Sequence, residues 1–264
     1  MAAIDKDTLA REDEPQIIGR VLANADAGAL AALAQSGDPT AQYLYGAMLY
    51  MGLGVTKDLA AARAMLEKSA NSGSPAGMLE YGYFLENHGD RPDDKAAGLA
   101  LYEKAAATGY GKAQAHLAFV LWNAPAPSAD RDRARKLWQA AAAQGYPYAI
   151  FASGVYGGRM DEARTRLTAL AAAGDRAGDA WLCELGEYQG AAAAVFDHCL
   201  KAAQDGIAGS MAITARLYAS GQGVPISRKE AGYWAKLALT QPDFTDPNRR
   251  PQTQALAASL AGPN

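Results

Sequence analysis

Six glycines set the frame of this chain. Gly37, Gly73, Gly109 and Gly145 stand 36 residues apart, and Gly174 and Gly206 follow after 29 and 32. Each has an alanine three residues before it: Ala34, Ala70, Ala106, Ala142, Ala171 and Ala203. A second series of small residues, Gly46, Gly82, Ala118, Gly154, Gly186 and Ala215, stands nine residues after the first in every unit but the fifth, where Gly186 stands twelve after Gly174. A third, Asp58, Asp94 and Asp130, repeats at the same interval, with Ser227 in its place in the last unit. A chain with this period is built from one supersecondary unit used many times, and no single unit can bury its apolar face alone.

The unit reads as helix–turn–helix. Asp38-Pro39 and Ser74-Pro75 place a capping side chain before a proline at the first helical position, and Pro147 repeats the proline. The turn Gly52-Leu53-Gly54-Val55 closes the first helix, with Gly221-Gln222-Gly223-Val224 as its counterpart. Asp58, Asp94, Asp130 and Ser227 are expected to cap the second helix, which ends at the glycine of the Ala-x-x-Gly series. The second series of small residues lets the two helices of a pair approach closely.

Stacking such pairs predicts an all-α, right-handed superhelix of about six pairs, organised as a single solenoid domain. Residues 1–36 form a tail and a capping helix pair, with Pro15–Asn24 set against Ala27–Ser36. Residues 37–240 form the six pairs. Residues 241–264 form an extended stretch and a short helix over Gln252–Ala261, as terminal units with one wet face require.

The first unit carries Ala41, Gly46, Gly52, Gly54, Val55, Asp58, Ala62, Lys68, Ala70 and Gly73. The second retains Gly82, Asp94, Tyr102, Lys104, Ala105, Ala106 and Gly109; the last retains Gly221, Gly223, Val224, Ala231 and Trp234. This pattern resembles the Sel-one-like repeat (SLR), the 36-residue relative of the tetratricopeptide repeat, over roughly residues 27–240. The resemblance implies an α-solenoid that serves as an adaptor, scaffold or regulator, in a family with many bacterial members. The third unit replaces the glycine turn with Asn123-Ala-Pro-Ala-Pro-Ser128, and the fourth and fifth have shortened turns.

Composition narrows the function classes. Of 264 residues, 50% are hydrophobic and 20% charged, which is too apolar for disorder. The net charge of -3 gives no basic field for nucleic acid, and no apolar run is long enough to insert in a membrane. The start lacks a basic segment followed by an apolar one, so the expected location is cytoplasmic if the chain is full length and periplasmic if a signal peptide was removed. Cys183 and Cys199 are the only cysteines. They sit in the two helices of one pair, where a bridge is geometrically accessible. Cysteines do not recur in the other repeats, as they do in some secreted SLR proteins, and this favours buried free thiols.

Chemistry-bearing patterns are not found. His88, His116 and His198 fall in three different repeats at different phases, without metal-ligand spacing. Gly52-x-Gly54 lacks a third glycine and follows a helix rather than a strand. Acid pairs such as Asp93-Asp94 stand at helix starts, where the macrodipole accounts for them. We therefore expect no enzyme, no catalytic residues, no metal and no cofactor.

Aromatic placement is more informative. Residues three before and one after the small position of each first helix read Tyr43/Ala47, Leu79/Tyr83, Ala115/Phe119 and Phe151/Val155, with Tyr50, Glu86 and Trp122 one turn later. Two readings compete. The rings fill space between neighbouring helices, or they line an exposed groove on the concave face. The groove reading gives a protein-binding surface of Tyr43, Tyr50, Leu79, Tyr83, Phe119, Trp122 and Phe151. It makes the chain a non-enzymatic interaction module for a protein or peptide partner, monomeric itself. An immunity or inhibitor protein wrapping a toxin or enzyme is the alternative. A β-lactam-binding, hydrolase-like role, which the resemblance to cysteine-rich SLR proteins implies, is the remote one.

Overall fold

The computed structural model describes residues 27–125, 128–241, 244 and 246–261, so the expected helix at Pro15–Asn24 lies outside the described residues. In chain order the helices are α1 (Ala27–Gln35), α2 (Pro39–Met51), α3 (Leu59–Asn71), α4 (Pro75–His88), α5 (Asp94–Ala107), α6 (Gly111–Asn123) and α7 (Ser128–Ala143). There follow α8 (Pro147–Gly157), α9 (Met160–Ala172), α10 (Arg176–Tyr188), a 3-10 turn (Ala192–Val195), α11 (Phe196–Gln204), α12 (Ala208–Ser220), α13 (Arg228–Thr240) and α14 (Arg249–Leu260). Among the described residues there is no strand, and no helix is long and apolar enough to cross a membrane. The fold is the expected all-α helical repeat. The chain divides into two compact units, one ending at Ala149 and the other starting at Ile150.

The Ala-x-x-Gly series has a direct physical explanation. All six glycines are left-handed, with φ between 83° and 99°. In each case the glycine amide donates to the carbonyl of the alanine three residues before, as from Gly73 to Ala70 at 3.1 Å and from Gly145 to Ala142 at 2.7 Å. This ends the second helix and redirects the chain into the next first helix.

The second series packs the pairs. A Cβ on Gly46 would stand 2.7 Å from Leu66 Cγ, and one on Gly154 2.5 Å from Ala163 Cβ. On Gly82 it would stand 2.6 Å from the Tyr102 ring and 3.0 Å from the Gly98 carbonyl. Ala118 and Ala215 are fully buried at the same place. In the first unit each helix packs on the next, and first helices also meet directly, α2 on α4 and α4 on α6. Leu30, Leu44, Met48, Leu66 and Phe84 form one core cluster there, and Leu79, Tyr102 and Leu117 another. In the second unit the core gathers Cys183, Cys199, Ile213 and Leu217, and then Met211, Trp234 and Phe244 beneath α14.

The caps follow expectation where the turn is regular. Asp38, Ser74 and Asp58 accept from the amides of Ala41, Gly77 and Ala61 at 2.7, 3.1 and 2.9 Å, and Ser227 accepts from Glu230 at 3.2 Å. Asp58→Ala should cost about 1 kcal/mol by orphaning an amide of the first turn of α3. Chemical denaturation reads this as a lower midpoint at unchanged slope.

Asp94 and Asp130 differ from expectation. Helix α5 begins at Asp94 itself, flanked by Asp93, whose side chain makes no capping bond. The Asp94 carboxylate accepts from the Arg63 guanidinium of the preceding pair at 2.6 and 3.2 Å and from the Arg91 amide at 3.0 Å. Helix α7 begins two residues before Asp130, which lies in its first turn. In both cases the glycine turn has been replaced by a proline-containing one, and the helix start moves with it.

Arg63, and then the Arg91 amide, hold the Asp94 carboxyl down at about 2, from its ordinary 3.8. Its contribution is therefore complete above about pH 4. As pH falls from there toward 2 the unfolded chain takes up the proton first, and the stabilisation is lost. Melting temperature measured across this window should fall less steeply in Asp94→Asn than in the wild-type chain.

Cys183 and Cys199 are joined by a disulfide, which corrects the expectation of free thiols. The reason is local: the two residues face each other from α10 and α11 with Cα atoms 4.8 Å apart. A single facing pair suffices for a bridge, whether or not other repeats have cysteines.

Candidate interaction site

The first unit contains a cavity of about 320 Å³ where three successive first helices converge. Tyr50 and Met51 reach it from α2, and Leu79, Glu80 and Tyr83 from α4. Lys112, Ala115, His116 and Phe119 come from α6, with Tyr146 and Tyr148 at the far end. Buried polar pairs lie at its floor and behind it. The Tyr50 hydroxyl donates to Glu80 Oε1 at 2.5 Å in a buried bond, and the Tyr102 hydroxyl donates to Glu86 Oε2 at 2.8 Å. Burial, reinforced by the bond to Glu86, raises the Tyr102 phenol well above its ordinary value and keeps it a donor. The His116 ring lies 4.4 Å from that of Tyr102, with Nε2 3.9 Å from Glu86 Oε2. The rim is apolar and open. Tyr83 is 41% exposed and Phe119 49%, and Tyr83 sits edge-on to His116.

The seven residues expected to form one stripe divide into three groups. Tyr50, Leu79, Tyr83 and Phe119 meet at the cavity. Tyr43, 3% exposed, is part of the core with Leu30 and Leu44. Trp122 is half-buried against Trp138, with the guanidinium groups of Arg131 and Arg135 over its ring. Phe151 is half-buried against Trp181 in the second unit.

The two positions assigned to that stripe are not equivalent. The one three residues before the small site is buried at Tyr43, Leu79 and Ala115 and half-buried at Phe151. The one after it is buried at Ala47 and open at Tyr83 and Phe119, where the side chain is a large ring.

Sequence reasoning missed Glu80, Lys112, His116, Tyr146 and Tyr148. A signal existed for two of these. Tyr146 follows Gly145 as Tyr110 follows Gly109, and Tyr148 stands 36 residues after Lys112. Among the described residues no group of three His, Cys, Asp or Glu side chains could hold a metal ion. The arrangement offers rigid rings around a recess with the bonded Tyr50–Glu80 pair below, which suits binding of a side chain or short segment.

Comparison with known proteins bears on the fold. The model of the Sel1 repeat matches residues 39–74, 75–110, 111–146 and 208–243. Residues 147–207, holding α8 to α11, are the stretch between matches, where the turns are shortened. A Sel1 repeat protein from Oxalobacter formigenes has a solved structure similar to this chain, with a TM-score of 0.63 at 19% identity, covering 88% of this chain and 99% of that one. A protective antigen present in uropathogenic Escherichia coli strains, displaying an SLR fold, gives a TM-score of 0.59 at 23% identity. That alignment covers 89% of this chain and 55% of the antigen, so this chain spans about half its length. Both likenesses concern the fold alone. No curated protein matches significantly. Sel1 repeats are generally protein-interaction modules and typically not catalysts. The four matched repeats together cover more than half of the chain, which belongs to the Sel1 repeat family.

Proposed function

We propose that this chain is a non-enzymatic adaptor or scaffold whose first unit receives a protein or peptide partner on the face formed by α2, α4 and α6. The observation that carries this reading is the pair Tyr83 and Phe119, two large rings left open at the mouth of a cavity while their neighbours are buried. Rings lose few rotamers on binding and bury large area, so they suit the centre of an interface. Leu79 and the Tyr50–Glu80 pair form the floor, and because the Tyr50 hydroxyl is already bonded to Glu80, an apolar group docked over this pair does not break it.

Immobilised chain used as bait, with mass spectrometry of what it retains, identifies the partner. Hydroxyl-radical footprinting of the complex then tests the surface. Tyr83, Phe119 and Met51 should lose labelling while Tyr188 and Tyr233, exposed in the second unit, keep it. Protection of Tyr188 or Tyr233 with Tyr83 and Phe119 unchanged would place binding elsewhere.

A further inference from the structure

The two open rings share a companion. Asn87 stands four residues after Tyr83 and Asn123 four after Phe119, so a ring and an amide recur together after 36 residues on α4 and α6. Both asparagines are exposed, and each donates one Nδ2–H to the carbonyl of its ring residue at 2.9 Å. That bond holds the side chain along its helix. It leaves a second N–H and the Oδ1 of each amide without a partner among the described residues. The flanking first helices lack the combination: α2 carries Ala47 and Met51 in these places, and Val155 and Arg159 follow in the next repeat. Of the carboxylates and ammonium groups of α4 and α6, Glu80 and Lys112 are buried, and Glu86 is the one open to solvent, its side chain 44% exposed. It lies one turn after Tyr83 and next to Asn87 in the chain.

We propose, resting on the reading of this face as the partner's seat, that its occupant is a proline-rich segment in the polyproline II conformation. The segment carries apolar side chains three residues apart and a lysine or arginine beside them. Spacing selects the conformation. Packed helix axes lie about 8–10 Å apart, and α4 and α6 meet directly, so their equivalent residues are separated by about that distance. A polyproline II chain has three residues per turn at about 3.1 Å each, which points residues i and i+3 the same way about 9 Å apart. A β-strand points residues the same way at intervals of about 7 and 13 Å, and neither fits. A helix spans the distance at i and i+7, but its backbone is bonded internally and leaves the two asparagine amides unmet. The polyproline II backbone has no internal hydrogen bonds, so its carbonyls are free to accept from Asn87 and Asn123. Tyr83 and Phe119 then pack on the apolar residues, as aromatic-lined grooves hold preformed proline-rich segments at low ordering cost. Glu86 meets the cation, an attraction that salt screens.

Synthetic peptides of identical composition test the spacing. Lys-Pro-Leu-Pro-Pro-Leu-Pro-Pro sets its leucines three residues apart, and Lys-Pro-Leu-Pro-Leu-Pro-Pro-Pro sets them two apart. Calorimetry against the wild-type chain should show binding of the first peptide and affinity lower by roughly tenfold or more for the second, in which one leucine loses its ring. Asn87→Ala with Asn123→Ala should weaken the first peptide by a similar factor at unchanged melting temperature, and Glu86→Gln should flatten its salt dependence. Absence of binding by the first peptide, equal affinity for the two peptides, or full affinity in the asparagine variant would overturn the polyproline II occupant. An alanine-rich helical peptide with leucines at i and i+7 separates this outcome from failure of the face itself. Tighter binding of the helical peptide, lost in Tyr83→Ala with Phe119→Ala, would overturn the polyproline II occupant and keep the face as the partner's seat. Binding of the first peptide that survives in the ring variant would overturn both.

Discussion

Gly82→Leu is expected to destabilise the first unit by about 3 kcal/mol, since overpacking costs 1–3 and more where backbone must yield. The new Cβ meets the Tyr102 ring at 2.6 and 2.8 Å and the Gly98 carbonyl at 3.0 Å. The carbonyl belongs to a helix backbone and moves only if α4 and α5 separate. Tyr102 is 1% exposed, and its hydroxyl is committed to Glu86. Turning the ring away breaks that bond and removes the surface on which His116 rests. The loss should therefore appear twice, as a melting temperature lower by roughly 6–12 °C for a chain of this size and as a distorted cavity. Gly82→Ala should show the same sign with a smaller drop. A melting temperature unchanged in Gly82→Leu would mean that Gly82 faces solvent and that the helix phase is wrong.

The repeat was legible because its signals are conformational. A left-handed glycine three residues after an alanine and a small residue where helices cross each have one physical cause, and the register multiplied them six times. Asp58 and Ser227 were legible as caps for the same reason. Asp94 and Asp130 were not, because the cap position depends on where the turn ends, and the sequences before α5 and α7 lack the glycine pair of Gly52-Leu53-Gly54. The disulfide was read the wrong way, because the lack of cysteines in other repeats does not bear on whether one facing pair, Cys183 and Cys199, is bridged. The aromatic stripe was half legible. Periodicity identifies the side of a first helix on which Leu79 and Tyr83 stand. It does not tell that the neighbouring first helix covers Leu79, at 6% exposed, and leaves Tyr83 open, since that depends on how close the two helices come. Tyr146 and Tyr148 were missed because they stand at a turn and a helix start rather than on the helix face being aligned.

The second large effect concerns recognition. Tyr83 and Phe119 lie on α4 and α6 at equivalent positions, and both line the same cavity. Central aromatic anchors are worth about 2 kcal/mol each on truncation, through area removed from water and through the neighbouring contacts that seal them. Because both rings stand at the open rim, 41% and 49% exposed, removing them opens no cavity in the core, and stability should change far less than affinity. The separation of the two readouts makes the pair informative. A structural role would lower the melting temperature together with affinity, whereas a recognition role lowers affinity alone.

The decisive measurement is the dissociation constant for the protein captured by wild-type chain, determined by calorimetry for wild type and for Tyr83→Ala with Phe119→Ala. Affinity is expected to be weaker by about 10³-fold in the double variant, from roughly 4 kcal/mol of lost contact, at unchanged melting temperature. Equal affinity for the two chains, both folded, would contradict it and remove the first-helix face of the first unit as the partner's seat.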